Sequence, residues 1–270
     1  MFINPAVFVV RNPLYPQVPE YASICANITS ELVIRFPQPN LLEMIDFVSR
    51  QMQQHAVAMT DCIEVDPRDY GLKRRYMLED PPEKEAPATD FWLHGNRYTQ
   101  RLMQLRNDNP GVGNLKINYT NHKGETLQLS EIHLNISSIT YAKKNRRQVF
   151  AEIELNINEA VYCENQQALY AAYSLLSHFV AFRRGSATLA IILREYAAAL
   201  GGIETFCTAD KLNLNMEALL TQPSEFVPNC ISGIYFDQKT RPENIIDWQQ
   251  RISQSREHPA IMPLSVSLAR

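Results

Sequence analysis

Two arginines, a glycine and a serine meet at Arg183-Arg184-Gly185-Ser186, between two apolar stretches of helical length. A helix that begins at this point directs free backbone N–H groups and the positive end of its dipole at whatever lies beside the turn. With two guanidinium groups next to those amides, the chemistry on offer is capture of an anion, phosphate above all. The candidate binding residues are Arg183, Arg184, Gly185, Ser186 and Thr188. The same residues also suit a plain αα-corner, in which Gly185 relieves the backbone, Ser186 caps the next helix and the arginines are solvated. A third use is docking of an acidic partner protein.

The nine residues from Val180 to Thr188, VAFRRGSAT, resemble the active-site loop of Fic-type enzymes, whose motif H-P-F-x-x-G-N-G-R joins two core helices and cradles nucleotide phosphates. Phe182 and Gly185 match the motif, and the run up to Gly202 has the length and apolar character of that family's next helix. The resemblance covers Asn165 to Gly202 and implies a bound nucleotide and a transferase that acts on another protein. Val180 stands where the family has its general-base histidine, Arg184 where it has the acidic residue that holds magnesium, and Thr188 where an arginine grips phosphate. The expectation is therefore a motif-degenerate domain that binds a nucleotide or phosphate through Arg183 and Arg184. His178 does not replace the base, because two residues along a helix rotate a side chain by about 200°.

A cysteine hydrolase offers a different chemistry, in which a thiolate lies beside an imidazole oriented by a third group. Cys62 with His133 and Cys163 with His178 are the pairs the chain order allows, although Asp61 and Glu64 disfavour a thiolate at Cys62. No metal site is indicated, since histidines 94, 122, 133 and 258 show no H-x-H or H-x-x-x-H spacing, and His122 is accounted for by a hairpin turn. If QVFAEIELNI is a strand, Glu152 and Glu154 share one face about 7 Å apart, a carboxylate spacing found in glycosidases and, far more often, on the wet face of a strand. Basic clusters at Lys73-Arg74-Arg75 and Lys143-Lys144-Asn145-Arg146-Arg147 are flanked by Tyr76, Tyr141 and Phe150, aromatics that could stack a base or simply pack.

These groups need elements to hold them. Asn40 caps an amphipathic helix with Leu41, Met44, Ile45, Val48 and Met52 at helical spacing, and Asp90 heads a second one. The polar, proline-rich stretch 66–90 reads as a linker. Between 115 and 157 the period shifts to two, with a hairpin turn at Asn121 to Gly124 and alternation of Val149, Ala151, Ile153 and Leu155 against Glu152, Glu154 and Asn156. Helices follow over 165–182, 187–200, 210–220 and 242–255, the one from Ala187 being apolar on nearly all sides and hence central. The expected fold class is α+β: an N-terminal helical region over 1–110, then a small antiparallel sheet and a mainly helical C-terminal core over 111–270.

A net charge of −3 argues against non-specific nucleic-acid binding. The first residues lack a basic start and are broken by Pro5, Pro13 and Pro16, unlike a signal peptide or membrane span. A cytoplasmic protein with no membrane partner is expected, and delivery into a host cell by a machine that reads no cleavable signal is compatible with this start. Five scattered cysteines with no C-x-x-C pair predict neither a disulfide framework nor a zinc knuckle. Three functions are in view: the Fic-like nucleotide or phosphate binder, a non-enzymatic interaction module of the effector or adaptor kind, and a cysteine-dependent hydrolase.

Overall fold

A computed structural model describes residues 3–9, 19–60, 66–74, 77–78, 116–130, 146–179 and 181–237. Eight α-helices lie among them: α1 (Pro19–Arg35), α2 (Leu41–Gln54), α3 (Ala56–Thr60), α4 (Arg146–Cys163), α5 (Gln166–His178), α6 (Ser186–Gly201), α7 (Leu214–Leu220) and α8 (Pro223–Ile231). Two strands, β1 (Lys116–Thr120) and β2 (Thr126–Ser130), pair antiparallel with Lys116 opposite Ser130 and Thr120 opposite Thr126. They form a lone hairpin, so the α+β class does not hold: the described chain is mostly helical.

The correction turns on residues 146–157. Alternation there suggested a third strand, yet the buried positions of α4 are Val149, Ile153, Ile157 and Ala160, a stripe of helical period. Leu155 is exposed, and Glu152 and Glu154, two residues apart on a helix, point to different sides. The glycosidase-type carboxylate pair is lost with the strand.

Side-chain caps set several helix starts. Asn40, Asn165 and Asn213 each accept the backbone N–H three residues on, from Glu43, Ala168 and Met216 at 3.1–3.2 Å. The helix α6 runs buried without a break from Thr188 to Ala198, with Ile192 and Leu193 at 0% exposure. It packs against α1, α4 and α5 and is the centre of the molecule. At its far end a Cβ on Gly201 would strike the carbonyl of Ala160, so only glycine lets α4 and α6 approach this closely. One apolar cluster extends from Ile3 to Phe236, across the expected boundary at residue 110.

The helix α5 stops at His178 rather than 182, and residues 181–184 pair with residues 69–74 instead. Lys73 bridges Phe182 antiparallel, and Tyr70 bridges Arg184 in the parallel sense. The second expected amphipathic helix after Asp90, the helix over 242–255, Cys62 and His133 lie outside the described residues.

Candidate functional site

The turn at 183–188 is built from two strands of chain. Arg183 N–H donates to Leu72 O (2.8 Å), Arg184 N–H to Asp69 O (3.2 Å), Gly71 N–H to Arg184 O (3.0 Å) and Arg74 N–H to Ala181 O (2.9 Å). Arg74 adds its guanidinium, which donates to the carbonyls of Phe182 (2.9 Å) and Arg183 (3.3 Å). The Arg183 guanidinium pairs with Asp69 at 3.2 Å, half exposed on both sides. Segment 69–74 thus occupies one side of the turn, and the amides of Arg183 and Arg184 are committed to it.

Gly185 begins α6 with φ +88, and it supplies no side-chain cap. A Cβ there would strike the methyl of Met52 and lie 3.2 Å from the Tyr70 ring, so the tight corner depends on glycine twice over. Ser186 does not cap the helix; its Oγ accepts Phe182 N–H (3.0 Å) and donates to Phe182 O (3.2 Å). Thr188 faces inward. Its buried hydroxyl joins Tyr21 Oη (2.8 Å) and Tyr70 Oη (2.9 Å), a knot that ties α1 and segment 66–74 to the start of α6. Burial raises both phenols, and the Cys25 thiol beside them is raised by burial as well. What remains at the surface of the turn is Arg183, Arg184 and Ala187.

The hydrolase pairs fare differently. Cys163 is exposed at the end of α4, whereas His178 is buried at the far end of α5, roughly 18 Å along that helix by its rise. His178 Nε2 is 3.1 Å from Ala218 O, which turns the ring toward α7, and burial lowers its pKa to about 4. Structure does not bring Cys163 and His178 together. Of the basic clusters, Lys73 pairs with Asp46 at 2.7 Å, and Phe150 packs edge-to-face on Phe179 with ring centres 5.0 Å apart.

A constellation that residue spacing did not reveal lies at the hairpin. Glu217 of α7 has no solvent exposure, and its Oε1 accepts Tyr119 Oη (2.6 Å) and the backbone N–H of His122 (3.0 Å). Its Oε2 lies 2.7 Å from His122 Nδ1. The imidazole rests edge-on against Tyr235, ring centres 5.0 Å apart, and its side chain keeps 10% exposure. The phenol of Tyr119 is raised first by burial and then by the Glu217 charge. His122 and Glu217 are 95 residues apart, a separation at which no local pattern signals a pair.

A second buried charge pair sits on α6. Arg194 Nε donates to Glu195 Oε1 (2.7 Å), and Thr205 Oγ1 donates to Glu195 Oε2 (2.6 Å). The guanidinium carbon lies 5.5 Å from the Tyr173 ring centre, within cation–π range. No protein-family model matches this chain, and no curated protein matches it either. Among the described residues no group of three or more His, Cys, Asp or Glu could hold a metal, and no helix is long and apolar enough to cross a membrane.

Proposed function

We propose that this chain is an interaction module that docks an anionic segment of another protein at the start of α6. The observation that carries it is the closure of one side of the 183–188 turn by segment 69–74, which leaves Arg183, Arg184 and Ala187 outward at the positive end of a buried helix. Such a surface suits acidic or phosphorylated side chains, which guanidinium groups engage bidentately. Affinity from charge contacts of this kind falls as salt rises.

The test is fluorescence-polarisation binding of a synthetic phosphoserine- and aspartate-rich peptide, at low and at physiological salt. Wild type binds in a salt-dependent manner, and exchange of Arg183 and Arg184 for alanine weakens binding at least about tenfold, the loss of one or two charge-assisted contacts. Equal binding by wild type and double variant overturns the proposal. Melting temperatures of the peptide-free proteins should nearly coincide, because the exposed Arg183–Asp69 pair contributes about 0–1 kcal/mol.

A second use of the same turn is a nucleotide, in keeping with the Fic resemblance, and it is favoured by the lack of a side-chain cap at Gly185. Thermal melts with ATP, GTP, CTP, UTP and NAD, each with and without magnesium, distinguish it. A nucleotide present at a hundred times its dissociation constant adds about 2.7 kcal/mol of stability. That gain must vanish in the double alanine variant if the turn is the site.

A further inference from the structure

We propose that His122 Nε2 is a reactive nitrogen that forms a catalytic centre for the hydrolysis of activated acyl esters, with Glu217 as its positioning residue. The two residues are held 2.7 Å apart by a carboxylate that has no exposure at all. Two other donors, the Tyr119 hydroxyl and the His122 backbone N–H, also point at that carboxylate and fix its position. With Nδ1 turned onto a carboxylate oxygen, Nε2 is the ring nitrogen left to face outward with a lone pair.

Nε2 makes no hydrogen bond among the described residues and is not among their buried orphaned atoms, so it keeps contact with solvent. Here the inward nitrogen is fixed by a buried carboxyl group and the outward one is left as a base and nucleophile, the division of labour that activates an imidazole.

The reaction balances without a cofactor. The Nε2 lone pair forms a bond to the acyl carbon, the bond from that carbon to the leaving oxygen breaks, and the ring becomes an acyl-imidazolium whose positive charge faces Glu217. Water then attacks the acyl carbon, the Nε2–carbon bond breaks, and a proton is released with the carboxylic acid. Charge develops on the ring in the first step, where a preorganised carboxylate has most effect.

The probe is p-nitrophenyl acetate, with nitrophenolate release followed on the full chain. Wild type should exceed the sum expected from free imidazole at least tenfold, His122→Gln should fall to that background, and His55→Gln, at an exposed position on the surface, should leave the rate unchanged. Glu217→Gln still offers an oxygen to Nδ1–H but removes the charge, so it should slow the reaction about tenfold while the melting curve stays cooperative. A wild-type rate at the free-imidazole background overturns the proposal, as does a His122→Gln variant as active as wild type. Should His122→Gln fail to fold, modification of wild type by diethyl pyrocarbonate decides: peptide mapping must find His122 modified faster than the more exposed His55, and the reverse order refutes it.

Discussion

Glu217 is buried and its carboxylate takes hydrogen bonds from Tyr119 and from the His122 backbone, and each of these matters because a buried polar group left without its partners is costly. Removing the Tyr119 hydroxyl leaves a buried carboxyl oxygen without one of its donors, so Tyr119→Phe should lower unfolding free energy by about 1–3 kcal/mol in urea titrations. His178 contributes in a pH-dependent way. Its folded pKa near 4 lies below the unfolded value of 6.5, so between those two the unfolded chain binds a proton that the folded chain refuses. Stability should therefore fall by about 3 kcal/mol as pH drops from 6.5 to 4, and level off below. His178→Gln should flatten that part of the profile. The sequence marks His178 as a hydrolase candidate and His122 as a turn residue, and the structure reverses their interest: burial silences the first, and a partner 95 residues distant charges the surroundings of the second. Neither environment is written in neighbouring residues.

At the scale of elements, the corner before α6 tests how far one glycine governs a junction. Gly185→Ala would carry a side chain at φ +88 and press it on Met52 and Tyr70, a loss of ~2–4 kcal/mol measurable by thermal or urea unfolding. The buried pair on α6 is more sensitive still: Glu195→Ala leaves Arg194 as an uncompensated charge and should cost about 3–5 kcal/mol. The helix α2, with its asparagine cap and apolar stripe, was legible from sequence, and α5 was legible except for its end, expected at 182 and found at His178. The α4 helix was not, since Val149, Ala151, Ile153 and Leu155 fit a period of two while Val149, Ile153, Ile157 and Ala160 fit a helix, and only packing chose between them. In α1, Thr29 and Ser30 return their hydroxyls to the carbonyls of Cys25 and Ala26, which lets polar residues sit on a helix whose stripe they blur. The nine residues of α8, with Pro223 at its start and Pro228 inside, were not legible from sequence as a helix. The turn at 183–188 was found as a corner, but not its cover, because residues 69–74 reach it from over a hundred positions away.

For the molecule as a whole, a single cluster from Ile3 to Phe236 predicts that its thiols report on global opening. Under native conditions Ellman's reagent should react at once with exposed Cys163, while Cys25, Cys207 and Cys230, all buried, should follow only at the rate of unfolding. Fast reaction of any of the three would show local opening around it. The knot between Tyr21 and Thr188 joins residues 167 positions apart, and it bears on how the protein is born. A ribosome adding about 5–20 residues per second needs roughly 8–33 s to deliver Thr188 after Tyr21. Throughout that interval the inner face of α1 has no α6 to lie against, so nascent chains stalled before residue 186 should be retained by chaperones, and release should coincide with emergence of α6 from the exit tunnel.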